Sequence, residues 1–104
     1  MSVTDLERLV AIEDIKNLKA RRIRALDEKR WSEYEAMHAE DHVSDTYGNE
    51  PAVGAKANAQ KVAQALADIT SVHHAHTPEI VISSSDTASA VWAMEDLSLI
   101  HISE

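Results

Sequence analysis

Cysteine and phenylalanine are missing from this 104-residue chain, and glycine, proline, tryptophan and tyrosine each occur only twice. Without cysteine there is no disulfide and no thiolate metal site, and the redox compartment is constrained only to compatibility with the cytosol. Gly48 and Gly54 are too few for a glycine-rich phosphate loop, and no serine sits in a nucleophile elbow. Positive charge is scarce as well. Ten basic against eighteen acidic residues leave a net charge of -8, which opposes binding to a phosphate backbone or to anionic lipid. No apolar run is long enough to cross a bilayer, and MSVTDLERLV is acidic where a signal peptide needs a basic and then an apolar segment. The apolar content of 44% and charged content of 27% exclude a disordered or fibrous chain. The reading is one soluble, cytoplasmic domain with a modest core and no nucleic-acid or membrane partner.

What is present begins with a helix. Thr4 and Glu7 have the spacing of a capping box, which starts a helix near Asp5. Leu6, Leu9, Val10, Ile12, Ile15, Leu18, Ile23 and Leu26 then recur at three- and four-residue intervals. That pattern gives one long amphipathic helix, or two with a break near Ala11 to Glu13, and Asp27 lies at its C-terminal end. Trp31, Tyr34 and Met37 predict a further short helix docking its aromatics on the core. Val43 to Tyr47 reads as a short strand, and Gly48, Asn49, Pro51 and Gly54 mark a loop. Ala55, Ala59, Val62, Leu66 and Ile69 share a helical face, with Thr70 and Ser71 as terminators. Strands follow over Glu79 to Ser83 and Thr87 to Met94, joined at Ser84, Ser85 and Asp86 as an antiparallel hairpin. Helices first and strands later is an α+β order, with helices on one face of an antiparallel sheet.

The chemistry concentrates in VHHAHTPEIVI, Val72 to Ile82, because imidazole titrates closest to neutrality. In an extended strand the side chains alternate, so His74 and His76 share one face and His73 points to the other. Two ligands do not make a stable metal site, and nothing in the sequence brings a third from His38, His42, Asp41 or Asp45, so no metal is assigned. Asp27 read alone is a helix terminator, and His73 a hydrogen-bonded strand histidine. Trp31, Tyr34, Trp92 and Met94 serve as core or pocket lining in a chain without phenylalanine. Adjacent acidic pairs such as Glu95 and Asp96 read as solvated edges.

The end of the chain departs from the rest. LSLIHISE, Leu97 to Glu104, resembles the conceptual translation of a transposase-type sequencing adaptor. The expectation is a single domain over residues 1–96 and a non-native tail over 97–104, the natural gene continuing past Asp96 with different residues. A genuine edge strand is the alternative, since Leu97, Leu99 and Ile100 are good strand residues.

Four segments in order, ALDEKRW (Ala25 to Trp31), HAEDHVSDTYG (His38 to Gly48), HHAHTPEI (His73 to Ile80) and DTASAVWAMED (Asp86 to Asp96), resemble the SnoaL-like proteins of the nuclear transport factor 2-like superfamily. The resemblance implies a cone of helices against a strongly curved antiparallel sheet, a pocket enclosed between them, and a homodimer. Members normally run on for two more long strands, so the last strands are expected to be missing here.

The superfamily includes scytalone dehydratase, polyketide cyclases and ketosteroid isomerase, so fold alone does not give function. LDEKRW resembles the dehydratase segment that carries a catalytic aspartate, which puts that role on Asp27; Leu26 replaces the tyrosine before it. His73 falls where the dehydratase has a pocket histidine, and a second histidine would lie near Ser98. Arg22 departs from an aromatic residue common at its position. The implied function is cofactor-independent lyase or isomerase chemistry on a small apolar polyketide, steroid or aromatic molecule. Asp27 and His73 would be catalytic, with Trp31, Tyr34, His74, His76 and Trp92 lining the pocket. A non-catalytic ligand-binding or dimerisation module of the same fold is the alternative.

Overall fold

The computed structural model describes residues 3–45 and 51–100. Helix α1, Asp5–Asp27, is unbroken, and Thr4 and Glu7 form the capping box through Oγ1 and the side-chain carboxylate. Its end is equally well defined. Lys29 takes a left-handed φ of 58°, and its N–H donates to the Leu26 carbonyl while the Arg30 N–H donates to that of Ala25. That pair of bonds is a Schellman closure, here with lysine in the position glycine usually takes. Asp27 is thereby fixed as the last helical residue.

Helix α2, Trp31–Ala36, buries Tyr34 against Ala25 and Leu26, and Trp31 meets the Tyr34 ring edge-on at 5.9 Å. Helix α3, Ala55–Ala65, adds Ala59, with Met37, Val62 and Leu66 packed around the cluster. The start of α3 needs glycine, because Gly54 has φ of 98° and a side chain there would be strained. Buried Asn58 then ties the entry together by donating to the carbonyls of Ala52 and Gly54.

Strand β1, Val43–Ser44, pairs antiparallel with β2, Ala52–Val53. The second of these occupies a segment that reads as loop in the sequence, and the Tyr47 end of the expected first strand lies outside the described residues. Strands β3, Ile69–Ile82, and β4, Ala88–Ile100, form the long hairpin. Helix α3 is therefore shorter than its apolar spacing implies: Ile69, Thr70 and Ser71 belong to the strand. The reason is β-branching at Ile69, Thr70 and Val72 combined with cross-strand partners in Leu97, Ser98, Leu99 and Ile100. Leu97 to Ile100 thus continue β4, while residues 101–104 lie outside the described residues.

A bulge sits between His76 and Glu79, where Thr77 and Pro78 together oppose Trp92. Proline cannot donate to the ladder, and Thr77 takes a left-handed φ of 48°. The extra residue reverses the alternation. Odd-numbered Ser71, His73 and Ala75 face α1 before the bulge, and even-numbered Ile80 and Ile82 after it. Helix α1 lies along this face, with Lys19 Nζ 5.9 Å from the Trp92 ring centre and Asp27 against Ser71 and His73.

The opposite face carries exposed Val72, Val81, Val91, Leu97 and Leu99. A Cα radius of gyration of 15.6 Å, against about 13 Å for a compact domain of this length, reflects that open hairpin. The architecture is α+β, N-terminal helices on one face of an antiparallel sheet. No described helix is long and apolar enough to span a membrane.

Candidate functional site

Asp27 and His73 meet where the end of α1 abuts β3. The Asp27 carboxylate accepts from three donors: His73 Nδ1 at 2.6 Å and Ser71 Oγ at 2.8 Å on Oδ1, and the His73 backbone N–H at 2.8 Å on Oδ2. Its side chain is 17% exposed and that of His73 only 9%. Burial by itself pushes the Asp27 carboxyl up, but the hydrogen bonds from the His73 backbone, the His73 ring and Ser71 outweigh it and hold the group below the usual carboxylate range. An ionised carboxylate only accepts, so Nδ1 of His73 carries the proton and Nε2 is the nitrogen left to work.

Nε2 looks towards Asp96, whose Oδ1 lies 3.4 Å away and accepts from Ser98 Oγ at 2.7 Å. Asp96 is therefore no isolated solvated edge. Strand register explains the placement: Asp96 is the cross-strand partner of His73, so both project from the same face of the hairpin.

An open cleft of about 480 Å³ runs between α1 and β3, lined by Ala20, Ile23, Arg24 and Asp27 on one side and residues 72–76 on the other. His74 and His76 line it with His73, although strand alternation turns them outward, and His76 Nε2 is 3.3 Å from Glu95 Oε1. Trp31, Tyr34 and Trp92 are not among its lining residues. Tyr34 is 2% exposed in the core with Trp31 against it, and Trp92 lies further up the hairpin beneath Lys19. Among the described residues no three His, Asp or Glu side chains converge as a metal site.

A second polar group, to which no sequence motif points, gathers around Arg22. Arg22 Nε donates to His38 Nε2 at 3.0 Å and Arg22 Nη2 to the Tyr34 hydroxyl at 2.9 Å, while His38 Nδ1 donates to the Tyr34 carbonyl at 2.6 Å. The rings of Tyr34, His38 and His42 follow one another with centres 4.5 and 4.8 Å apart, the first pair tilted at 48° and the second edge-on at 66°. Their four-residue spacing was the signal in the sequence, since it keeps rings on one side of a helix and its trailing turn.

Burial pushes the His38 imidazole down, reinforced by Arg22 and His42 and only partly opposed by the Tyr34 carbonyl. The folded state thus favours neutral His38, and its contribution is complete above the ordinary value near 6.5 and declines as pH falls below it. The urea midpoint of the wild type should fall between pH 7 and pH 5 by more than that of His38→Gln. Parallel curves for the two proteins would contradict this assignment.

Comparisons with known proteins fit this architecture. Residues 7–100 match the model of the SnoaL-like domain. A protein of solved structure from Catenulispora acidiphila superposes with a TM-score of 0.76 at 22% identity, over 88% of this chain and 67% of that one. A candidate scytalone dehydratase from Novosphingobium aromaticivorans gives 0.70 at 15% identity, over 91% and 76%. The β subunit of benzoate 1,2-dioxygenase from Burkholderia mallei gives 0.70 at 18% identity, over 99% and 74%. At these identities the structural likenesses establish the shared fold.

Proposed function

Because the chain belongs to the SnoaL-like domain family, we propose that its Asp27–His73 pair performs cofactor-independent acid–base chemistry on a small, largely apolar molecule. The reaction class is lyase or isomerase, and the substrate a polyketide, steroid or aromatic compound. The observation that carries this reading is the 2.6 Å contact between Asp27 Oδ1 and His73 Nδ1 beside an open cleft. Asp27 orients the ring and stabilises its positive charge. His73 Nε2 then takes or gives the proton that an elimination or isomerisation requires, a role worth typically 10²- to 10⁴-fold in rate. The candidate scytalone dehydratase among the structural neighbours is consistent with elimination chemistry.

The test is incubation of the full chain, with a chelator present, with a panel of hydroxylated polyketide-type, steroid and aromatic ketones. Mass spectrometry should detect either loss of water or an isomer of unchanged mass. Compounds that bind without being converted would favour the second reading, a ligand-binding or dimerisation module.

One observation supports the assembly part of that second reading: the exposed apolar face of the β3–β4 hairpin. Val81, Val91, Leu97 and Leu99 are 60 to 72% exposed, and burying a valine or leucine fully stabilises by about 1.5–3 kcal/mol. Two copies packed through this face form the expected homodimer. In sedimentation equilibrium the wild type should be dimeric at micromolar concentration and Val91→Asp monomeric. A monomeric wild type would remove the assembly reading.

A further inference from the structure

We propose that Ser71 is a positioning residue of this site: its hydroxyl holds the Asp27 carboxylate in the orientation that meets the His73 ring. The role of Ser71 rests on the acid–base reading of Asp27 and His73. Apolar spacing makes Ser71 the terminator of a helix, yet it stands in β3 and is only 4% exposed. A buried hydroxyl needs a partner, and Ser71 Oγ donates to Asp27 Oδ1 at 2.8 Å. Ser98, the cross-strand partner of Ser71, has its own hydroxyl committed to Asp96. Ser71 is also absent from the lining of the cleft, so it acts through Asp27 and not on a bound molecule.

Strand geometry supplies the placement. Residues two apart on a strand project from one face, so Ser71 and His73 together present their side chains to the end of α1. Asp27 Oδ2 is held by the His73 backbone N–H, and Oδ1 is shared by His73 Nδ1 and Ser71 Oγ. Of the two donors on Oδ1, the ring belongs to the group that works in the cleft, whereas Ser71 is spared that work. Its bond keeps Oδ1 in place through a cycle and restrains a carboxylate that would otherwise turn about its side-chain torsions. The ring follows the carboxylate, since Nδ1 lies 2.6 Å from Oδ1.

The experiment compares the full chain as wild type, Ser71→Ala, Ser71→Thr and Asp27→Asn, with circular dichroism to show each folded. It follows the ¹³C resonance of the Asp27 side-chain carboxyl through an acid titration, and measures turnover of whichever ketone of the panel the wild type converts. Ser71→Ala removes a donor to the ionised carboxylate, so the Asp27 midpoint should rise. Its kcat should fall on the order of tenfold, less than the 10²-fold that a misplacement of about 1 Å costs, with KM little changed. Ser71→Thr keeps the hydroxyl and should restore both readouts. A lower melting temperature in folded Ser71→Ala with midpoint and kcat unmoved, while Asp27→Asn loses turnover, would overturn the role of Ser71 and leave the Asp27–His73 pair standing. A wild type that converts no compound would overturn the acid–base reading, and the carboxyl midpoint then decides by itself whether Ser71 holds Asp27.

Discussion

An Asp27→Asn chain should stay folded and lose turnover by about two to four orders of magnitude. Asparagine fits the space but can no longer accept from Ser71 Oγ, the His73 N–H and His73 Nδ1 together, since one of its terminal atoms is a donor. The ring then loses both the charge that stabilises its protonated form and the bond that sets which nitrogen faces the cleft. Asp27→Ala goes further. Hydrogen bonds to a charged group contribute about 1.5–3 kcal/mol each and are not additive, so removing the shared acceptor should cost roughly 2–4 kcal/mol. The loss falls at the junction of α1 and β3, and urea denaturation measures it. Acid provides an independent check. The folded-state value of Asp27 lies below the ordinary one near 3.8, so its contribution is complete above that value and lost as pH falls through the folded one.

Tyr34→Ala should be the most damaging core substitution, at about 3–5 kcal/mol. The buried apolar set consists of Ala25, Leu26, Tyr34 and Ala59 among the described residues, and Tyr34 is its largest member at 2% exposure. Removing the ring deletes the edge-on contact with Trp31 and leaves Arg22 and His38 without their packing surface. A domain of this size is stable by about 5–15 kcal/mol, so the variant should melt far below the wild type. Tyr34→Phe loses only the Arg22 bond to the hydroxyl and should cost about 1 kcal/mol. Equal melting temperatures for Tyr34→Ala and the wild type would show that stability resides elsewhere.

Much of this arrangement is legible in the sequence because it depends on local rules. Thr4 with Glu7 starts α1, apolar spacing carries it to Leu26, and the Trp31–Tyr34–Met37 spacing gives α2 and its buried ring. The separation of His73 from His74 and His76 follows from strand alternation alone. What escaped depends on partners distant in sequence. The boundary between α3 and β3 is set by β4 pairing with Ile69 to Val72, and apolar spacing cannot distinguish that from another helical turn. β2 is two residues long and is defined by its bonds to β1. Asp96 looks like half of a solvated acidic pair until register places it opposite His73. Trp31 and Tyr34 carry the composition of pocket walls, yet the small core takes them first, since no phenylalanine is available to fill it.

The most direct measurement is kcat/KM for wild type, His73→Ala, Asp27→Asn and the double variant, on whichever ketone of the panel the wild type converts. If Asp27 acts through the His73 ring, each single variant falls by about 10²- to 10⁴-fold and the double variant falls no further than the worse single one. Circular dichroism should show each variant to be folded. Turnover retained in both folded single variants would contradict the account.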